Sequence, residues 1–113
     1  DGSQSRDFTY IDDIAKGTIA ATKEVGYEII NLGGGRNPVS LNTVISKLEE
    51  LIGKKAKIDH KAFHIADIKE TWADIKKAKQ LLGWEPKTTL DQGLENSVKW
   101  YMDNRDWLKD VTV

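Results

Sequence analysis

At 113 residues, 39% of them hydrophobic and 31% charged, the chain has the length and composition of one ordinary globular domain. A formal net charge of −1 leaves no basic footprint, so neither nucleic acid nor an anionic membrane is an expected partner, and no apolar run approaches the ~20 residues of a bilayer span. With no cysteine there is no disulfide, thiolate metal site or cysteine nucleophile, in keeping with an expected cytoplasmic location.

The opening run Asp1-Gly2-Ser3-Gln4-Ser5-Arg6 is polar, lacks a methionine and does not resemble a secretory leader, so the chain is expected to continue a longer one. Residues 7–11, Asp-Phe-Thr-Tyr-Ile, are rich in aromatic and β-branched types and predict a short strand. Asp12 or Asp13 then stands as the N-cap of a helix with Ile11, Ile14, Ala15, Thr18 and Ala21 at helical spacing and Gly26 as its stop. Residues 27–32, with Ile29-Ile30, predict a buried strand that enters a tight turn at Gly33-Gly34-Gly35. The clearest helix follows. Ser40 is its N-cap, Val39 can staple against Val44, and Leu41, Val44, Ile45, Leu48, Leu51 and Ile52 form one stripe that ends at Gly53.

Residues 56–60 predict a weaker, half-polar strand. Asp74 caps a shorter helix that turns Ile75, Ala78, Leu81 and Leu82 inward and stops at Gly83. Pro86 keeps the next segment out of helix. Thr89 and Gln92 form a capping box for a last helix, with Leu90, Leu94, Val98 and Tyr101 facing in. The order β-α-β-α-β-α-α predicts an α/β piece of about four helices with three short strands, in which residues 27–52 are two thirds of a βαβ unit. A strand at 27–32 without neighbours leaves an open edge, so the isolated chain is expected to self-associate.

Three groups of residues invite chemistry. Gly33-Gly34-Gly35-Arg36 can offer bare N–H groups and a cation to an anion, or reverse the chain where a Cβ would clash. The absence of both G-x-G-x-x-G and G-x-x-x-x-G-K-[ST] favours the turn. His60 and His64 would share a metal on a helix. Here they fall on strand and then loop, where residues four apart do not converge, so they are expected to line an anion or hydroxyl site or to face solvent, with no metal bound. Arg6, beside a short strand with Tyr10 close by, is well placed for bidentate phosphate contact, whereas Asp12 and Asp13 are expected to serve as salt bridge and helix cap.

Trp72, Trp84, Trp100 and Trp107 are expected in or at the edge of the core, with Trp84 packed back on Leu81 or Leu82. Tyr-x-x-x-Lys, G-x-S-x-G and a P-loop lysine are all missing, so no catalytic residue is expected in this chain.

The run Arg6-Asp7-Phe8-Thr9-Tyr10-Ile11-Asp12-Asp13 resembles one found in the NAD-dependent nucleotide-sugar epimerases and dehydratases, the extended short-chain dehydrogenases that include UDP-glucose and UDP-glucuronate 4-epimerases. The resemblance continues through Ile30-Asn31-Leu32-Gly33, Thr71-Trp72-Ala73-Asp74 and Lys77-Ala78-Lys79-Gln80-Leu81-Leu82-Gly83-Trp84-Glu85-Pro86, in order and register over nearly the whole chain.

It implies that residues 1–113 are the small C-terminal substrate-binding domain of a Rossmann-type enzyme, with the NAD-binding domain and its Tyr-x-x-x-Lys pair upstream. It also implies that NAD accepts and returns a hydride at the sugar C4, that the partner is a UDP-sugar or another nucleotide sugar, and that the full-length protein is a homodimer. By position, Arg6 matches an arginine on the substrate phosphates, 31–32 a late strand of the large sheet, and Asp67 the aspartate of an Arg-x-Gly-Asp element that holds ribose and phosphate. His64 stands where that element has arginine, and Ala66 replaces its glycine, which leaves the identity of the nucleotide sugar open. The expected substrate-binding set is Arg6, Tyr10, His64 and Asp67, with no cofactor or metal ligand.

These readings predict an enzyme portion, inert by itself, whose full-length form carries out 4-epimerisation of a UDP-hexose. The alternatives are a 4,6-dehydratase or UDP-glucuronate decarboxylase of the same family, or a non-catalytic binding or assembly module. The exchange at His64 has a pH signature. Arginine stays charged at physiological pH, whereas histidine titrates near pH ~6.5 when unperturbed. Bound phosphate raises the pKa of a neighbouring histidine, so its help is full below the free-state pKa and fades as pH rises through that of the complex. UDP affinity of the full-length protein is therefore expected to fall between about pH 6 and 8, and His64→Arg to flatten that fall while tightening binding. Calorimetric titrations of both proteins across this range check it, and identical pH profiles would remove His64 from the phosphate site.

Overall fold

The structure, a computed structural model, describes residues 2–35, 38–61 and 67–111. Three strands of two residues each, β1 (Ser5–Arg6), β2 (Val39–Ser40) and β3 (Glu70–Thr71), form one sheet in the order β2-β1-β3. β1 runs antiparallel to β2, Arg6 opposite Val39, and parallel to β3, Arg6 opposite Thr71. The pairing extends beyond the strands: Leu41 N donates to Gln4 O at 3.1 Å, Asn42 N to Gly2 O at 3.0 Å, and Ser5 N to Lys69 O at 2.8 Å. The strand that carries Arg6 is thus central in the sheet.

Helix α1 (Ile11–Ala20) begins where a strand over 7–11 was expected, and the strand itself sits earlier, at Ser5–Arg6. The N-cap is Tyr10, with no side-chain cap bond, and its carbonyl accepts from the N–H groups of Asp13 and Ile14. Asp13, expected as a possible cap, has another task. Its Oδ2 accepts from Lys87 N at 3.0 Å and Thr88 N at 2.8 Å, and its own carbonyl accepts from the Trp84 indole at 2.9 Å. Only 2% exposed, it ties the first turn of α1 to a loop more than 70 residues away. Burial pushes the Asp13 carboxyl up, but the Thr88 and Lys87 hydrogen bonds and the Lys16 charge outweigh it and hold the pKa below the ordinary aspartate value. Gly17 lets Trp84 in, because a Cβ there would lie 2.9 Å from both the indole and the Leu32 side chain. The helix stops at Ala20, well before Gly26.

Local capping elsewhere follows the sequence. Helix α2 (Leu41–Ile52) has Ser40 Oγ accepting from Thr43 N at 3.2 Å and ends at a left-handed Gly53. Helix α3 (Leu90–Asp103) opens on the full Thr89–Gln92 capping box. Asp74 Oδ1 accepts from Lys76 N at 3.0 Å ahead of a π-helical segment, Ala78–Leu82, which stops at a left-handed Gly83. A short helix, α4 (Arg105–Leu108), follows α3. α2 packs on α3, and α1 on the π-helical segment. No described helix is long and apolar enough to cross a membrane.

The core is small. Among the described residues the buried apolar side chains are Val44, Ala78 and Trp84. The strands expected at 27–32 and 56–60 are absent. Neither segment has regular secondary structure or pairs with a neighbouring strand, and Tyr27 is 93% exposed. Trp72, Trp100 and Trp107 are also exposed, not core, with Trp100 and Trp107 stacked edge to face at 6.0 Å, and Tyr101 and Ile11 face out. The reason is a shortage of partner surface. The accessible area is 8823 Å², against roughly 6,200 Å² for a compact protein of this mass. The radius of gyration is 16.6 Å, against roughly 13 Å. An excess of roughly 2,600 Å² is on the scale of a permanent interface.

Two outcomes follow from this packing. The isolated chain is expected to self-associate through its exposed apolar residues; sedimentation velocity over a concentration series checks this, and a clean monomer at high concentration contradicts it. Asp13→Ala strands two backbone donors and is expected to lower stability by roughly 1.5–3 kcal/mol in urea unfolding. Because the folded pKa lies below the unfolded one, this contribution is full above the unfolded carboxylate range and declines as pH falls through it toward the folded value. Wild type and variant should therefore converge in acid.

Candidate functional site

The charged groups near β1 gather at its C-terminal end. Arg6 Nη1 donates to Ser5 O at 2.9 Å, and Nη2 donates to Asp67 Oδ1 at 2.8 Å. Both side chains are about one-third exposed, so the pair holds the guanidinium in place more than it stabilises the fold. Arg6 and Asp67 are two of the four residues expected to bind substrate, and they meet across 61 positions of sequence. A guanidinium steered by a carboxylate on one edge has the planar fork geometry that suits a phosphate on another.

Beside Arg6, the Asp7 carboxylate faces inward. Its Oδ2 accepts from Gly35 N at 2.9 Å and Ala73 N at 3.2 Å. Gly34 lies against the same carboxylate so closely that a Cβ would fall on it, and Gly35 adopts a left-handed φ of +59°. The glycine run is therefore a turn closed around an internal anion, as the turn reading expects. The N–H of Gly35 is engaged by Asp7 rather than offered outward, and Arg36 lies outside the described residues. Together these segments wall a groove lined by Arg6, Asp7 and Thr9 on one side, 30–33 along its length and 71–73 on the other. Trp72, 66% exposed, stands in that wall.

Tyr10 is not part of this groove. It lies in a second cleft against α3, with Phe8, Thr88, Leu90 and Ser97, and packs over Gly93, where an added Cβ would stand 3.4 Å from the tyrosine Cβ. Thr9 borders both clefts. His64 and Ala66 lie outside the described residues, as does half of the His60–His64 pair. Among the described residues no group of His, Cys, Asp or Glu could hold a metal ion.

Sequence reasoning missed the roles of Asp7 and Asp13. Each accepts from two backbone donors, at separations of 28 and 66 positions for Asp7 and 74 and 75 for Asp13. No local spacing encodes such contacts. The one available signal was the density of acidic residues around a two-residue strand.

The family model described as GDP-mannose 4,6 dehydratase matches residues 1–97. The UDP-glucuronate 4-epimerase of Thermodesulfobacterium geofontis is 59% identical over 113 residues, covering all of this chain and 35% of the relative. The structure of UDP-glucuronic acid 4-epimerase from Bacillus cereus, in complex with UDP-glucuronic acid and NAD, superposes with a TM-score of 0.81 at 42% identity, over 91% of this chain and 33% of that one. An epimerase from Methanothermobacter thermautotrophicus gives a TM-score of 0.88 at 30% identity, over 97% and 33%. The chain thus spans about a third of the length of the proteins it matches. It belongs to the GDP-mannose 4,6 dehydratase family.

Proposed function

We propose that residues 1–113 form the C-terminal substrate-binding domain of a UDP-sugar 4-epimerase, with a UDP-glucuronate-type sugar nucleotide as substrate. The observation that carries this reading is the 59% identity to a UDP-glucuronate 4-epimerase over the full length of the chain. The Arg6–Asp67 pair adds a cation on the groove wall, already oriented. In this reading the Arg6 fork takes an oxygen of the diphosphate, and Asp67 holds the guanidinium by its opposite edge while reaching the ribose. His64 adds a second, titratable cation, and Tyr10 reaches the nucleotide from the neighbouring cleft.

NAD supplies the oxidation and reduction at C4 when bound. This chain carries neither G-x-x-G-x-x-G nor Tyr-x-x-x-Lys, so none of its residues is assigned a step in that chemistry. The chain's own part is to hold the nucleotide end so that the sugar can present either face. A cytoplasmic location and a homodimeric full-length protein belong to the same reading.

A 4,6-dehydratase is the second reading, favoured by the description of the family model itself. Product mass separates the possibilities. Epimerisation conserves it, dehydration removes water, and decarboxylation of a glucuronate removes carbon dioxide. The NAD-loaded full-length protein, incubated with UDP-glucuronate, is expected to give an isomer of unchanged mass with an inverted C4 by NMR; loss of carbon dioxide from it, or loss of water from a nucleotide hexose that carries a C6 hydroxyl, would replace the reading with one of the others.

Arg6→Ala in the same protein is expected to weaken UDP binding by roughly 1.5–3 kcal/mol, the scale of one charge-assisted contact, with bound NAD unchanged. Calorimetry with UDP and quantitation of released NAD check this. Unaltered UDP affinity would make Arg6 a structural residue only.

A further inference from the structure

We propose that Asp7 is a positioning residue for nucleotide binding: its carboxylate sets the place of Arg6 by fastening both walls of the groove to the end of β1. This rests on the reading of Arg6 as a diphosphate ligand. β1 is two residues long and shares two residue pairs with each neighbour, so the ladder alone fixes the direction of Arg6 weakly. The next residue supplies the missing restraint. Asp7 Oδ2 receives Gly35 N, at the end of the wall formed by 30–33, and Ala73 N, at the end of the wall formed by 71–73.

Both donors meet the same oxygen. Asp7 therefore joins three segments at one atom, one residue away from the guanidinium. Glycine at 34 leaves room for the carboxylate, since a Cβ there would occupy its place. Asp67, which receives Arg6 Nη2, lies three residues before β3, on the same segment that Ala73 fastens to Asp7. Release of Asp7 loosens Arg6 from its neighbours on both sides while leaving the residue itself and its charge intact.

The single shared acceptor makes the idea testable. An asparagine can place its amide oxygen where Oδ2 lies and accept the same two N–H groups, whereas alanine cannot. In the full-length protein, Asp7→Ala is expected to raise the Kd for UDP by about ten-fold or more, the scale on which a displaced binding group loses affinity. Asp7→Asn should restore affinity to near the wild-type value, and bound NAD should be unchanged in both. Amide exchange at Gly35 and Ala73 should be fast in the alanine variant and slow in the asparagine variant.

Arg6→Ala, measured alongside, separates the two levels of the argument. If Arg6→Ala leaves UDP affinity unchanged, the reading of the site fails and this inference with it. If Arg6→Ala weakens UDP but a folded Asp7→Ala does not, Asp7 is merely structural and the inference alone is overturned. If Asp7→Asn is as weak as Asp7→Ala, the negative charge of Asp7, rather than its two hydrogen bonds, is what matters, and the positioning role is refuted.

Discussion

A carboxylate that accepts two backbone N–H groups fixes two distant segments at once, and the architecture around the sheet depends on two such groups. Asp7 gathers the glycine turn and the segment after β3 onto the end of β1. Asp13 gathers the loop after the π-helical segment onto the first turn of α1. Without them, strands of two residues and the three apolar side chains buried among the described residues would be asked to hold a chain of 113 residues. Charge-assisted bonds to backbone are among the stronger hydrogen bonds available to a protein. They also satisfy loop donors that water would otherwise have to reach. Trp84 completes the second cluster, since its ring fills the space beside Gly17 while its N–H meets the Asp13 carbonyl.

What could be read in the sequence was what is local. Ser40 and Gly53 around α2, the Thr89–Gln92 box of α3, and the stop at Gly83 are decided within a turn of chain, and all are found. The segment 27–32 shows the opposite case. Its apolar residues correctly announce a surface that seeks cover, but periodicity carries no information on what provides the cover: Leu32 finds some beside Gly17, while Tyr27 and Ile29 stay exposed. Trp72, Trp100 and Trp107, expected in or at the edge of the core on the same logic, are exposed for the same reason. Arg6 could be singled out by its type and place, but its partner Asp67 came only from resemblance to a family. The work of Asp7 and Asp13 stayed hidden, because hydrogen bonds across 66 or 75 positions leave no mark on spacing. Tyr10 shares a sequence run with Arg6 and yet faces a different cleft, because Arg6 ends β1 while Tyr10, four residues on, is the N-cap of α1.

The family assignment and the surface properties describe one situation from two sides. The chain spans about a third of its relatives, and its exposed area exceeds that of a compact domain by an amount proper to a permanent interface. The groove that Arg6 lines accordingly has an exposed indole, Trp72, in its wall. In the proposed reading, such a surface supplies orientation and charge and leaves the remaining enclosure to other parts of a protein.

The separation of the clamps along the chain also bears on the order in which the molecule assembles. Helices α2 and α3 each close their caps within three residues and can form early at little entropic cost. Arg6–Asp67, Asp7–Ala73 and Asp13–Thr88 each close a loop of more than 60 residues, and such contacts must wait until the intervening chain has condensed. These contacts, those at the groove among them, are therefore the ones that carry the largest cost of loop closure, and a substitution at one of them releases a restraint that the local helix caps do not replace.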